Sequence, residues 1–384
     1  MTTQLSLYRA GQTPATRATT IRVRKSVLIW LSMLVFGVLL LFVVPEFLPI
    51  HYKFDAQMIR EFIVREFRPT SFVVMASYAN TAYVYMIFGI EDDPVLGAWF
   101  TYLTAWASVL VALLLARSGG RLWLWFPAFV WHALLLIYTC VHSKEVHAMP
   151  ALALLLLLCG TRYGWLRIAA IVAAVAGYAA YFRPYWAVVG LLAAAFIVLR
   201  RRMADPGRLA LAMAGAYLLL FASYYVATGQ YLTDFRVGLT AGRDLDHFSD
   251  TAFPNRFDND GLISDIGNAV YAFVRLIVPL WLLGSGKAQH LVFVVWELAN
   301  VTVFAWAFAR VWRVRGLDAR TEFAAAWILA FSLTQGIFEP DYGTFLRHQT
   351  TLLPAFALLC LNAFWRAEGS SPAPARATVS AGSG

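Results

Sequence analysis

Apolar stretches of transmembrane length recur along almost the whole chain, and this pattern limits the fold more than any other sequence feature. Of the 384 residues, 60% are hydrophobic and 14% are charged. A soluble domain of this size exposes much of its surface, so it could not bury so much apolar area. About 20 apolar residues span a bilayer as a helix. The sequence therefore predicts an all-α polytopic integral membrane protein and excludes soluble, disordered and collagen-like classes.

Two apolar stretches differ from the rest. The stretch 72–90 is rich in polar residues and tyrosines, and 266–284 contains Asn268 and Arg275. Such residues are costly inside a bilayer, so we predict that both stretches are re-entrant or interfacial. About ten transmembrane helices remain. They are 26–48, 95–116, 122–141, three short spans between 146 and 200, 208–227, 289–309, 321–338 and 351–365.

The charges sort by side in this ten-span topology. One side receives 19 of the 31 basic residues and only four of the 22 acidic residues. Positive charge marks the cytoplasmic side, so the net charge of +9 needs no nucleic-acid partner. This orientation predicts a cytoplasmic N-terminal tail at 1–25, a transmembrane bundle at 26–366 and a disordered cytoplasmic tail at 367–384. If either doubtful stretch crosses, the sorting is lost.

The outer side then collects the unusual polar clusters. They lie in the outer loops 50–94, 142–147, 229–288 and 339–350 and in the turn at Arg183. Charges at the mouth of a membrane bundle need a partner, water or a ligand. The convergence of these clusters predicts one outer-face site.

Asp55 opens an amphipathic stretch that is typical of an interfacial helix. Its carboxylate could accept the proton of an attacking sugar hydroxyl, or it could simply cap the helix. Lys144 and Glu145 lie at the end of a span. There the lysine could bind a phosphate, and the glutamate could orient the lysine. The alternative is a salt-bridged turn.

Arg183, followed by Pro184 and Tyr185, offers a planar fork to phosphate oxygens, unless its side chain only reaches back to the interface. Arg347 and His348 could bracket a phosphate or a leaving group. His348 could instead pair with Glu339 or Asp341.

The loop 229–265 mixes acids, amides and aromatic residues, which favours a sugar-binding lid over a plain solvated loop. Its acids lack the ligand spacing of a calcium-binding EF-hand. The three cysteines also lack the spacing of metal ligands or of a disulfide framework. We therefore predict no metal site and no cofactor, although a divalent cation is not excluded.

The order of these motifs resembles a known superfamily. The outer acid Asp55, Ser143-Lys144-Glu145, Arg183-Pro184-Tyr185 and the run from Asp341 to His348 follow in that order. The chain looks like the GT-C membrane glycosyltransferases, and most like bacterial O-antigen and exopolysaccharide polymerases of the Wzy/EpsG type. The resemblance covers roughly 26–365. It departs at the first outer loop, where Asp55 has no acidic neighbour before Glu61.

The resemblance implies a GT-C-like fold in the bacterial inner membrane. It also implies transfer between polyprenyl-diphosphate-linked oligosaccharides at the outer face, in contact with membrane lipids and other polysaccharide assembly proteins. Asp55 would be the base, and Arg183 and Arg347 would lie near the lipid phosphates. We predict Asp55, Arg347 and His348 as catalytic residues. The predicted substrate-binding residues are Lys144, Glu145, Arg183, Tyr185 and Asp341.

Three other functions are compatible with the sequence. The first is a GT-C transferase that adds single sugars from a polyprenyl-phosphate donor. The second is a transporter or flippase for lipid-linked sugars, although no inverted repeat is evident. The third is a structural or assembly protein, which would tolerate alanine at the predicted site residues.

Overall fold

The computed structural model describes residues 4–6, 20–22, 25–48, 53–64, 68–116, 125–161, 164–203, 205–241, 252, 254–312 and 317–369. Within them the chain is almost entirely helical. The exception is an antiparallel pair of three-residue strands, β1 (Gln4–Ser6) and β2 (Thr20–Arg22). The prediction of an all-helical bundle is confirmed at this level.

Sixteen α-helices are described. The first eight are α1 (Lys25–Leu40), α2 (Val44–Phe47), α3 (Phe54–Val64), α4 (Ser77–Ile87), α5 (Pro94–Leu115), α6 (Trp125–Thr139), α7 (Glu145–Leu158) and α8 (Gly164–Tyr181). The others are α9 (Tyr185–Arg202), α10 (Pro206–Thr228), α11 (Asp234–Ala241), α12 (Leu262–Ile277), α13 (Ala288–Trp312), α14 (Ala319–Phe338), α15 (Tyr342–Thr350) and α16 (Leu353–Gly369). A 3-10 helix covers Leu280–Ser285.

Five of the described helices are long and apolar enough to cross a membrane: α5, α8, α10, α13 and α14. Apolar segments of α1, α6, α7 and α16 are shorter. Large apolar side chains remain exposed along several of these helices, such as Leu211 on α10 and Val292 on α13. Exposed apolar faces on many helices fit a bilayer as the surrounding solvent.

The two stretches set apart by sequence form short elements. The stretch 72–90 contains α4, which has 11 residues and is about 16 Å long. The stretch 266–284 is divided between the end of α12 and the 3-10 helix. Neither contains a helix as long as the roughly 30 Å apolar core of a bilayer.

Ion pairs and turns define the two ends of the bundle. We call the end at which α7 and α9 begin, and at which α8 and α14 end, the upper end. At the opposite, lower end, Arg200 and Arg201 of α9 pair with Glu322 in the first turn of α14. Arg320 of α14 donates there to the carbonyl of Leu156, near the end of α7. Helices α9 and α14 therefore run antiparallel between the two ends.

The core is tightest where α9 and α14 meet. Four buried alanines on α14 allow close approach of the helices: Ala324, Ala325, Ala326 and Ala330. Trp186 of α9 packs on Trp327 of α14, with ring centroids 5.0 Å apart. This packing fixes the starting point of α9 and the end of α14, which both contribute to the upper end.

Some of the predicted segments are described only in part. Helix α16 continues to Gly369, three residues into the segment predicted as the C-terminal tail. The predicted tail segments 7–19 and 370–384 lie outside the described residues, as do 242–251 within the predicted lid.

Candidate functional site

Five charged residues from four separate segments meet at the upper end of the bundle. They are Asp55 in the first turn of α3, Lys144 and Glu145 at the start of α7, Arg183 between α8 and α9, and Arg347 in the last turn of α15. We call these five residues the charged cluster. The structure thus brings together residues that sequence analysis selected from distant loops.

Asp55 and Arg347 form the centre of the charged cluster. Arg347 Nη1 donates to Asp55 Oδ2 over 2.7 Å, although the two residues are 292 positions apart. Lys144 Nζ lies 3.6 Å from the other carboxylate oxygen, and Tyr78 of α4 donates its hydroxyl to the same oxygen over 2.8 Å. Lys144 also lies 4.0 Å above the Tyr78 ring. Both oxygens of Asp55 are therefore engaged.

The second acid of the cluster is held by arginine. Arg183 Nη2 lies 2.5 Å from Glu145 Oε1, and Arg183 Nη1 donates to the Tyr185 hydroxyl over 2.8 Å. Arg347 Nε lies 3.9 Å from the same Glu145 oxygen. Both Glu145 and Arg183 are almost completely buried. Arg347 thus links the Asp55 pair to the Glu145 pair.

Local sequence explains how these side chains are presented. Pro184 immediately precedes the first residue of α9, a place where its fixed φ suits a helix start. Arg183 is thereby left in the turn above the bundle. Helix α3 is held by Ile59 and Ile63, which pack with Tyr85 of α4 and Val146 of α7. That apolar contact sets Asp55 beside the start of α7.

The charges of the cluster control each other's protonation. Burial opposes ionisation of Asp55, but Arg347 and Lys144 outweigh it and hold the pKa of this carboxyl well below its usual range. Burial lowers the pKa of Lys144 to about 8; Asp55 opposes that shift, and the two guanidinium groups add to it. The cluster therefore holds three cations and two acids, with Lys144 the easiest cation to neutralise.

Two buried polar atoms of the cluster lack a hydrogen-bond partner within the described part of the chain. They are Arg347 Nε and Glu145 Oε2. A buried donor or acceptor without a partner is costly, so native proteins rarely keep one unless water or a ligand completes it. The two atoms mark the place where a ligand could gain a donor and an acceptor.

His348 lies next to the cluster and pairs with an acid. Its Nδ1 contacts Glu339, the residue that follows α14, in a short hydrogen bond. Its ring centroid lies 5.9 Å from that of Tyr185. Of the two sequence alternatives for an acidic partner, the structure selects Glu339.

Asp341 has a different position from the other predicted residues. It is the N-cap of α15, where its carboxylate accepts from the backbone N–H and the hydroxyl of Thr344 over 2.8 and 3.0 Å. Arg347 lies at the other end of this helix. Capping explains the position of Asp341, and the predicted substrate contact stays a prediction.

An apolar groove of about 260 Å³ lies beside the charged cluster. Its lining includes Phe72, Leu154, Tyr178, Phe182 and Trp186. Phe182 directly precedes Arg183, so the groove and the cluster share the turn between α8 and α9. Of the two stretches that were predicted to be re-entrant or interfacial, 72–90 supplies Phe72, whereas none of the described lining residues comes from 266–284.

The predicted lid is partly described, and it folds against α12 and α14. Asp265 accepts from the backbone N–H groups of Leu232 and Thr233 over 2.9 Å each. The ring centroid of Phe235 in α11 lies 5.3 Å from that of Phe338. The Phe338 centroid in turn lies 5.9 Å from that of Tyr185. The described part of this loop is therefore an ordered cover next to the charged cluster.

The sequence pattern did not indicate a role for Tyr78, and it indicated Glu339 only as a structural partner of His348. Tyr78 lies in the polar stretch 72–90, whose tyrosines were used only to argue that the stretch does not cross. The roles of Tyr78 and Glu339 depend on which residues lie close to them in space, and the sequence does not contain this information.

Among the described residues, no group of three or more His, Cys, Asp or Glu side chains could hold a metal ion. The three cysteines are buried and free. Comparison with known proteins gives no significant match, whether to family models, to curated sequences or to solved structures.

Proposed function

We propose that the chain is a membrane glycosyltransferase that polymerises polyprenyl-diphosphate-linked oligosaccharides at the outer face of the bacterial inner membrane. The observation that carries the proposal is the charged cluster, in which Lys144, Arg183 and Arg347 meet beside an apolar groove. A ligand that matches both parts has an anionic head and an apolar tail. A polyprenyl diphosphate has this form, and the resemblance in motif order indicates the same substrate class.

The chemistry of such a donor needs little beyond positioned charge. The leaving group already carries phosphate, so cations that face its oxygens stabilise the charge that grows as the glycosidic bond breaks. Arg183 and Arg347 offer planar donor forks, and Lys144 offers a point charge. Arg347 Nε has no hydrogen-bond partner within the described residues, and a phosphate oxygen would supply one.

The apolar groove would hold the first part of the prenyl chain. Tyr178 and Phe182 line its wall, and the backbone N–H of Arg183 donates to the Tyr178 carbonyl over 3.1 Å. The phosphate of a lipid in this groove would thus lie near the guanidinium group. The ordered cover formed by α11 and α12 would contact the sugars.

The proposal includes a ten-span, GT-C-like topology with a cytoplasmic N-terminus, in which the upper end of the bundle is the outer face. The arginine-rich lower end, with Arg200 and Arg201, would then face the cytoplasm, as the positive-inside rule requires. Of the ten spans, α5, α8, α10, α13 and α14 have full transmembrane length. The others would cross where the bilayer is locally thinned.

Product analysis tests the proposal. The purified chain, reconstituted in liposomes, is given radiolabelled polyprenyl-diphosphate glycans extracted from cells that lack it. We expect a ladder of products separated by one repeat unit, because each product can serve again as a substrate. A single added sugar from a polyprenyl-phosphate donor would instead support the single-sugar transferase. Movement of the lipid across the bilayer without new glycosidic bonds would contradict both transferases.

A further inference from the structure

His348 has one ring nitrogen fixed and the other open. Both described hydrogen bonds of the ring, to Glu339 and more weakly to Gln335 at 3.4 Å, involve Nδ1. Nε2 makes no hydrogen bond to the part of the chain that the structure describes. The His348 side chain is about 10% accessible, whereas that of Glu339 is 2% accessible. The Glu339 carboxylate is therefore more deeply buried than the His348 ring.

This arrangement selects one tautomer. A carboxylate accepts a hydrogen bond from Nδ1–H, so a neutral ring keeps its lone pair on Nε2. A histidine oriented in this way by a buried carboxylate can take a proton and is stabilised once it carries charge. The tautomer thus follows from the position of Glu339.

Asp55 is less suited to accept a proton in this state of the site. Its carboxylate accepts hydrogen bonds from Arg347 and Tyr78 and forms an ion pair with Lys144. Those contacts stabilise the ionised form and hold the pKa of Asp55 far below the range in which a base works well at neutral pH. A carboxylate held in this way fixes the two cations instead.

We infer that His348 is the general base of the transfer reaction and that Glu339 is the positioning residue that fixes its tautomer. The inference rests on the proposed transferase function. Nε2 takes the proton of the acceptor hydroxyl while the oxygen forms a bond to the anomeric carbon of the donor. The bond from that carbon to the phosphate oxygen breaks, and its electron pair leaves with the polyprenyl diphosphate. The imidazolium later returns its proton to water.

The charged groups around His348 set the basicity of its ring. Burial, followed by Arg183, Arg347 and Lys144, holds the pKa of the His348 imidazole below its usual value, so the resting ring is neutral. Glu339 acts in the opposite direction, because its carboxylate stabilises a protonated ring. A bound diphosphate would screen the three cations and make His348 more basic when the substrate is present.

Kinetics of the full-length chain in liposomes tests the inference. Glu339→Gln is expected to lower kcat about 10- to 100-fold with the KM for the lipid donor within about twofold, because the amide removes the charge that supports the imidazolium. His348→Ala is expected to lose more activity and to regain part of it with added imidazole. Glu91→Gln, an outer-loop change beside Arg68, is the matched control and should keep both constants.

A chemical probe keeps the inference testable without turnover. Diethyl pyrocarbonate modifies neutral histidine at an open ring nitrogen, and mass spectrometry measures the rate at His348. We expect modification in the wild-type chain and a severalfold slower rate in Glu339→Gln. Equal rates would overturn the assignment of Glu339. Full activity in His348→Ala would overturn that of His348, whereas a wild-type chain that makes no glycan would contradict only the proposed function.

Discussion

Replacing Arg347 with alanine is expected to stop the growth of glycan chains and to leave single repeat units on the lipid. Arg347 joins the two acids of the charged cluster, and its buried Nε has no hydrogen-bond partner among the described residues. Removal of one positioned donor to a developing anion costs about 10²–10³ in rate. The measurement is the length of cell-surface polysaccharide, together with the amount of the chain in the membrane.

Two further variants are needed to interpret the result for Arg347→Ala. Arg347→Lys keeps the charge but loses the planar fork, and we expect it to restore only a small part of the activity. Arg68→Ala removes an arginine of the same outer loops that pairs with Glu91 and is about half exposed, so it should behave as wild type. Wild-type chain lengths in Arg347→Ala, at normal membrane levels, would remove Arg347 from the mechanism.

Replacing Arg183 with leucine is expected to destabilise the folded chain by about 3–5 kcal/mol, because it leaves Glu145 as a buried carboxylate without its closest cation. The remaining cation, Arg347, has its Nε 3.9 Å away. The double variant Arg183→Leu/Glu145→Leu should recover most of this stability and none of the activity. Thermal unfolding of the purified single and double variants measures the coupling.

A matched pair at the lower end gives the control. Arg201→Leu also removes an arginine from a buried glutamate, but Arg201 is 58% exposed and Glu322 keeps Arg200 at 3.0 Å. We expect a loss below about 1 kcal/mol, as for other exposed ion pairs. If Arg183→Leu is no less stable than Arg201→Leu, or if the double variant is as unstable as Arg183→Leu, the buried pair does not have the role described here.

The sequence predicted which charged residues would lie at one end of the bundle, because apolar length and the side preference of arginine restrict how the chain can cross. Asp55 and Arg347 are grouped on this ground and by the order of the motifs. The sequence did not predict that they pair. Their contact depends on how α3, α7 and α15 pack, and periodicity within one segment carries no information on that packing.

The roles of Tyr78 and Glu339 also depend on how separate segments pack. Tyr78 lies in the short segment formed by 68–76 and α4, and Glu339 lies in the link between α14 and α15. Neighbouring helices set the directions of both segments. Asp341 shows the reverse case. A carboxylate three residues before Thr344 can act locally as a helix cap, and such a local use is visible in sequence. The contribution of Phe72 rather than 266–284 to the groove also follows from packing.

The proposed function requires that the charged cluster opens at the outer face of the membrane. Single cysteines at Asp92, Ala288 and Arg202 test it, because the native cysteines are buried and these three positions are exposed. In intact spheroplasts, a membrane-impermeant maleimide should label Asp92→Cys and Ala288→Cys at once and Arg202→Cys only after the membrane is permeabilised. Labelling of Arg202→Cys in intact spheroplasts, with protection of the other two, would put the site in the cytoplasm and contradict the account.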